Sequence, residues 1–186
     1  MRILFFLIIF SLLGCSTRRT LSNNFYLENK EVNLFAFVGE KISVVEFNPN
    51  EEQIGEKVFD SISGDTIIKK SYIMDLGFKC QYKIIKNVFN NPQIDTIDFV
   101  AYDHYGKPKF SDYDTVLLYV SKSNKGNYYF HQKYQFDYLE KNSDDLFYGF
   151  QYDKIEKRNK IIFRNKRIAT LEDLFNKKKN EVFKSF

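Results

Sequence analysis

The sequence predicts a mainly β protein, folded as a single antiparallel barrel or sandwich that ends in one α-helix. Apolar and polar side chains alternate along several stretches of the 186 residues, which is the period of a strand with one buried face. Apolar residues recur at helical spacing only near the C-terminus, behind a capping box. The length fits one domain, which can bury a core without disulfides or metals.

The first predicted strand runs from Leu34 to Phe47 and is rich in Val, Ile and Phe. It is either continuous or broken at Gly39. Asn48 to Asn50 form the loop that ends it, because Asn and Pro favour turns. A second turn at Ser63 to Asp65 precedes a short apolar run, Thr66 to Lys69.

The stretch from Tyr72 to Ile84 alternates without interruption, which predicts a strand with one face in the core and one in water. Cys80 lies on its apolar face. Free cysteine is among the most buried residue types, so we expect Cys80 to be an inert small hydrophobe and not a reactive or metal-bound thiol. The predicted core face carries Tyr72, Met74, Leu76, Phe78, Cys80, Tyr82 and Ile84.

Three further strands are predicted downstream. Alternation from Ile94 to Tyr102 places Ile97, Phe99 and Ala101 in the core. The continuous apolar centre of Asp114 to Ser121 suits a strand buried on both sides. The last stretch, Tyr128 to Tyr138, forms one strand or two with a break. Its apolar parity holds Tyr128, Phe130, Tyr134, Phe136 and Tyr138, and its polar parity holds Tyr129, His131, Lys133, Gln135 and Asp137.

The C-terminal third is basic and predicts an amphipathic helix. Thr170 and Asp173 resemble a capping box, and apolar residues follow at helical spacing from Leu171. Lys177 to Lys179 are expected to form a solvated helix face, with anionic lipid headgroups as the alternative partner.

The N-terminus resembles a bacterial lipoprotein signal. Arg2 precedes an apolar run, Ile3 to Leu13, which is shorter than the roughly 20 residues needed to cross a bilayer as a helix. Leu12 to Cys15 then read "LLGC", which is similar to the lipobox, whose cysteine is acylated and becomes the mature N-terminus. The expected organisation is a signal peptide at 1–14, a lipidated N-terminus and tether at 15–30, and one β-rich domain with a C-terminal helix at 31–186.

Acylation of Cys15, for example with palmitate, would anchor the protein permanently, because several chains bury far more CH₂ groups than one. Ser16 follows the cysteine and is not acidic, which in the systems that the box resembles is compatible with transfer to the outer membrane. We expect an outer-membrane lipoprotein that faces the periplasm. Cys80 is then the one remaining thiol of the exported chain, and burial is its expected state.

Two segments, "FVGEKISVVEF" and "FKCQYKIIKNVFNNPQIDTIDFVA", resemble the netrin-like modules related to tissue inhibitors of metalloproteinases. The similarity covers roughly Phe37 to Val120 and rests on the strand pattern. It implies a five-stranded, OB-like barrel. It does not imply protease inhibition, because the disulfides of that family and its inhibitory N-terminal cysteine have no counterpart here.

No pattern in the chain predicts a catalytic residue, a metal or a cofactor. A catalytic zinc site usually takes three protein ligands, and beyond its acids the chain offers only His104, His131 and Cys80. Because Cys80 is expected on a core face, a zinc site is not expected. Asp112 and Asp114 have the spacing of calcium ligands but lack the Asp- and Gly-rich loop. A hydrolase that uses the loop around Asp103 and His104 is the catalytic alternative, although neighbours in a strand point to opposite faces unless the chain turns. Three other motifs are missing, namely G-x-S-x-G, the P-loop and H-E-x-x-H.

The expected function is therefore a non-catalytic binding or structural module. Its partners would be the membrane, through the lipid anchor, and another envelope protein or a cell-wall component. Nucleic acid is not expected as a partner of an exported, lipid-anchored protein. The aromatic row from Tyr128 to Tyr138, with the aromatics from Phe147 to Tyr152, is either core or a stacking platform for a sugar or peptide.

Overall fold

The computed structural model describes residues 24–51, 55–157 and 160–184. Strands make up 51% of the structure and one helix lies near the C-terminus, which confirms the mainly β prediction. Within the described residues the strands are β1 (Phe35–Phe47), β2 (Glu56–Phe59), β3 (Thr66–Lys69), β4 (Leu76–Phe89), β5 (Thr96–Asp103), β6 (Thr115–Lys122), β7 (Tyr129–Tyr138), β8 (Glu140–Lys141), β9 (Phe147–Lys157) and β10 (Lys160–Ala169). The helix α1 spans Leu171–Glu181, and a 3₁₀ turn spans Lys109–Asp112.

Five strands close into a ring in the order β1-β4-β5-β7-β6, with β6 returning to β1. Every neighbouring pair is antiparallel except β5 and β7, which run parallel with Phe99 opposite Tyr129 and Val100 opposite Phe130. The expectation of a wholly antiparallel arrangement was wrong at this pair. A closed ring with an odd number of strands cannot alternate direction throughout, so one pair must be parallel.

The strand β6 separates two cores, as its continuous apolar sequence predicts. Val116, Leu118 and Val120 point into the ring, whereas Leu117 and Tyr119 point outward toward α1. All five are fully buried. The interior core also contains Phe37, Phe78, Cys80, Tyr82, Ile97, Phe99, Ala101 and Phe110, and the outer core contains Leu34, Ala36, Val38, Val88, Phe89, Leu139, Phe147, Ala169, Leu171, Leu174 and Phe175.

The strand β4 starts later and ends later than its alternation predicts. Tyr72 and Met74, expected in the core, are 77% and 76% exposed. The partner strand β1 ends at Phe47, which lies opposite Gly77, so the residues before Leu76 have no ring strand beside them. Leu76, the first residue of β4, was also expected in the core but is 40% exposed, whereas Phe78, Cys80 and Tyr82 are buried as predicted.

The inward parity predicted for β7 was wrong in its first half. Leu118 lies opposite Phe136 but Val120 lies opposite His131, so residues 132–135 bulge out against a single residue of β6. The bulge changes the phase of the strand, because a shift by an odd number of residues sends side chains to the other face. His131, predicted on the polar face, is therefore buried, whereas Tyr134 is exposed.

The sheet β10-β9-β8 was missed by the sequence pattern, whereas the helix after it was found. Polar and basic residues interrupt the apolar periodicity of β9 and β10. The capping box at Thr170 and Asp173 is present, and α1 buries Leu171, Leu174 and Phe175. Gly149 of β9 permits the contact, since a Cβ there would lie 2.8 Å from Leu174 Cδ1.

The chain enters the domain at one end of the ring, and the β2–β3 hairpin leaves it at the other. Leu27 bridges to Phe89 at the end of β4, and the rings of Phe25 and Phe175 lie 6.0 Å apart. Residues 24–30, which the sequence pattern assigns to the tether, are thus hydrogen-bonded to the domain where they are described. The hairpin follows the opposite end of β1.

Candidate functional site

A groove of about 510 Å³ on the outer face of β1, β4 and β5 is the candidate site. Strand pairing arranges its floor in two rows of side chains. Such rows form because side chains of paired residues stand on the same face of a sheet. The polar row is Ser43, Gln81 and Asp98, the second row is Val45, Lys79 and Val100, and Tyr128 lines one side of the groove.

The polar row is partly organised before any ligand arrives. The Gln81 Nε2 amide donates a hydrogen bond to Asp98 Oδ1 at 3.0 Å. The remaining Gln81 carbonyl, the Asp98 carboxyl oxygens and the Ser43 hydroxyl can accept hydrogen bonds, and the hydroxyl can also donate. A ligand in the groove would therefore meet polar groups on one side and apolar surface on the other.

The second row adds apolar surface and one cation. Val45 is 58% exposed and Tyr128 is also exposed, so both present apolar area to the groove. The Lys79 ammonium lies 5.4 Å from the centroid of the Phe47 ring, at a distance suited to a cation–π contact. Such a mixture of apolar walls and few polar groups is typical of ligand sites.

Cys15, the predicted lipidation site, and the signal peptide at 1–14 lie outside the described residues. None of the helices in the described part of the chain is long and apolar enough to span a membrane.

Asp103 and His104 do not bond to each other. Asp103 is buried, and its Oδ1 accepts a hydrogen bond from the Tyr105 amide at 2.9 Å. The His104 imidazole instead lies with its Nδ1 3.3 Å from Oδ1 of Asp75, whose other oxygen accepts from Lys133 Nζ at 2.6 Å. The carboxyl partner of His104 is therefore Asp75, which lies far from Asp103 in sequence and was not predicted.

The other residues considered for metal binding are placed apart. Cys80 is buried, as predicted, and burial raises the pKa of its thiol to about 12. Asp114 pairs with Lys41 at 3.2 Å. Across residues 24–51, 55–157 and 160–184, no three His, Cys, Asp or Glu side chains are grouped to hold a metal ion.

The aromatic row is neither wholly core nor wholly surface. Phe136 and Tyr138 pack against the interior core, and Tyr113 stacks on Tyr138 with centroids 5.0 Å apart. Phe150 also packs against Tyr138, with ring centroids 5.5 Å apart, and Lys166 Nζ lies 3.4 Å from the centroid of the Phe150 ring. The Lys166 ammonium thus covers one face of Phe150. The aromatic row therefore offers less open ring surface for stacking than its sequence suggests.

The basic helix face is partly used within the protein. Lys177 to Lys179 are half-buried, and Lys178 Nζ donates to Gln135 Oε1 at 3.2 Å. Burial raises the pKa of nearby Asp137 to about 6, against the opposing effect of Lys178.

The groove residues were not singled out from the sequence. Lys79 and Gln81 were expected in water, as most outward side chains are. The available signal was the presence of apolar residues at positions that face solvent. Val100 shares the outward face of β5 with Asp98, and Val45 lies on the outward face of β1. Pairing of three strands, which no local pattern contains, places them together.

Comparisons of the chain with protein-family models, with curated proteins and with solved structures find no match.

Proposed function

We propose that this protein is a lipid-anchored binding module of the bacterial envelope, which faces the periplasm, is attached to the outer membrane through Cys15, and binds through the groove on β1, β4 and β5. The groove is the observation that carries the proposal. Its two ordered rows form a concave, mixed polar and apolar surface that the core does not require.

The ring further supports an OB-like barrel. When the ring strands alone are numbered along the chain, their order is 1-2-3-5-4, with strands 3 and 5 parallel. OB folds are five-stranded Greek-key barrels that bind ligands on the face of strands 2 and 3 and through the loop between strands 4 and 5. Here those parts are β4, β5 and the loop that contains Tyr128, which all line the groove.

The position of the groove suits a tethered protein. Residues 16–23 connect Cys15 to the first described residue, and such a segment reaches at most about 30 Å. The tether joins the domain at the end of β4 marked by Phe89, whereas the groove lies toward the opposite end, near Lys79. The groove thus lies toward the end of the ring opposite to the point where the described chain enters, which supports a face open to a partner. Tethering would raise the effective concentration of membrane-associated partners.

The ligand class that fits this groove is an extended chain with alternating polar and apolar character. An oligosaccharide of the cell wall or a peptide segment of another envelope protein has this character. The hydrolase alternative has less support, because Asp103 and His104 bond to different partners.

A site-specific photo-crosslinker tests the groove in the intact lipoprotein. Introduced at Val45 it should give one discrete adduct in cells, whereas at Ile168, which is also exposed but lies on β10, it should give none. A second change, Asp98→Ala, should remove the Val45 adduct, because it deletes the acceptor of Gln81 and breaks the polar row. Equal adducts at both positions, or an adduct indifferent to Asp98, would contradict the proposal.

A further inference from the structure

Two buried polar side chains, Asp103 and His131, line one small cavity at the end of the ring. The cavity measures about 110 Å³. Asp103 is 7% exposed and His131 is 8% exposed. The parallel pairing of β5 with β7 brings them together. Val100 lies opposite Phe130, and the buried side chains of Asp103 and His131 come shortly after these two residues on their strands.

The bulge in β7 fixes the orientation of His131. Its Nε2 lies 2.8 Å from the Gln135 carbonyl oxygen. A carbonyl only accepts hydrogen bonds, so Nε2 carries the proton and Nδ1 of the neutral ring holds a free lone pair. Tyr134, within the bulge, has a φ of 65°, in the left-handed region that is rare for an aromatic residue.

Both side chains keep acceptor capacity for a ligand. Among the described residues no partner bonds to Nδ1 of His131, and the one hydrogen bond of Asp103 goes from the Tyr105 amide to Oδ1. Burial lowers the pKa of His131 to about 4, so the ring is neutral at physiological pH and acts as an acceptor. The cavity therefore presents acceptors from two strands.

Aromatic rings form part of the remaining walls, together with Ala101, Pro108 and Lys109. Phe110, from the 3₁₀ turn, is buried inside the ring of strands. Its aromatic centroid lies 4.6 Å from that of His131 and 6.3 Å from that of Phe136. Tyr134 also lines the cavity and reaches the surface. Aromatic faces attract cations, and the mouths of β-barrels are common ligand sites.

We propose that this cavity binds a primary ammonium group, such as the end of a lysine side chain or the amino group of a peptide, through Asp103 and His131 with the aromatic walls around it. The proposal goes beyond the function proposed above, because it depends on neither the groove nor the lipid anchor. The cavity has room for a few water molecules or one small head group, and an ammonium group supplies three donors to its acceptors.

The cations near the site do not fill it. Lys109 lines the cavity but its side chain is exposed, and Lys133 is held by Asp75 at 2.6 Å outside it. Lys178, whose charge acts on His131, donates its Nζ to Gln135 Oε1 at 3.2 Å. None of the three forms a hydrogen bond or an ion pair with Asp103 or His131 in the described structure. An ammonium that enters the cavity would thus be the first donor to meet both acceptors.

The test is a titration with ethylammonium, in which ¹⁵N NMR monitors the His131 ring. The protein is the chain from Cys15 onward, produced without the signal peptide and without acylation. Saturable shifts of Nδ1 are expected, with a millimolar Kd because a ligand of three non-hydrogen atoms has a low affinity ceiling. Ethanol, of similar size but neutral, and tetramethylammonium, a cation without N–H donors, should each bind at least about tenfold more weakly.

Two variants separate the site from the rest of the surface. Asp103→Asn retains an acceptor for the Tyr105 amide, so the turn persists, but it should weaken ethylammonium binding by about tenfold or more. The matched change Asp144→Asn, at an exposed carboxyl in the turn between β8 and β9, should leave the affinity unaltered. An unsaturable response up to about 100 mM, equal binding of ethanol, or an unchanged Kd in Asp103→Asn would overturn the proposal.

Discussion

Replacing Asn90 by Ala should destabilise the protein by about 4 kcal/mol, because this side chain holds the N-terminal segment to the ring. Asn90 is 5% exposed. Its Oδ1 accepts from the Asn29 amide at 2.8 Å, and its Nδ2 donates to the carbonyls of Asn29, Val32 and Leu34 at 2.9, 3.1 and 2.8 Å. Its φ of 50° is in the left-handed region, which Asn tolerates better than Ala.

The magnitude follows from the geometry. The amide group has two hydrogens for three carbonyls, so the four contacts amount to about three independent hydrogen bonds, each worth about 1 kcal/mol net. The left-handed backbone adds about 1 kcal/mol for Ala. Asn90→Gly removes the same hydrogen bonds without the backbone penalty, so it should cost about 3 kcal/mol before the greater chain entropy of Gly is counted.

Urea unfolding followed by circular dichroism measures the effect in the chain from Cys15 onward. With a slope near 2 kcal/mol/M, Asn90→Ala should move the midpoint by about 2 M. Asn91→Ala is the matched control, because Asn91 accepts one hydrogen bond from the Gln93 amide on the surface and should lose less than about 1 kcal/mol. If Asn90→Ala shifts the midpoint no further than Asn91→Ala, this account of the N-terminal segment is wrong.

Three further changes test the core, the buried acid and the helix cap. Tyr82→Phe should leave stability unchanged or raise it by about 1 kcal/mol in urea unfolding, since the buried hydroxyl has no hydrogen-bond partner among the described residues; a loss above 1 kcal/mol would show a missed partner. Burial raises the pKa of Asp137 to about 6, so the folded state retains a proton between about pH 4 and pH 6 and this group lowers stability as the pH rises through that window. Asp137→Asn should therefore stabilise the protein at pH 7 by up to about 3 kcal/mol and have no effect below about pH 4, and a pH-independent difference would refute the assignment. Thr170→Ala should cost about 1 kcal/mol of thermal stability by removing the two hydrogen bonds between the Thr170 hydroxyl and Asp173, whereas Thr170→Ser should keep them.

Elements with a clean local pattern could be predicted from the sequence. The alternation in β5 placed Ile97, Phe99 and Ala101 in the core, and the continuous apolar run of β6 indicated burial on both sides. The capping box located the start of α1. In each case the residues that decide the structure are neighbours in the chain.

The remaining features depend on distant parts of the chain. The bulge in β7 arises where the strand pairs with β6, and it turns His131 inward against its parity. The pairing of His104 with Asp75 joins segments that are far apart in sequence. The candidate sites were missed for the same reason, because each is made by strands that meet only in the closed ring.

Mass analysis of the N-terminal peptide from the native protein tests the proposed function most directly, because a tethered envelope module requires an acylated Cys15. The predicted result is a peptide that begins at Cys15 and carries ester-linked and amide-linked acyl chains, with the ester-linked chains released by mild alkali. The Cys15→Ala chain, as control, should retain Met1 and carry no lipid. A native protein that begins at Met1, or whose Cys15 is free of acyl chains, would contradict the proposal.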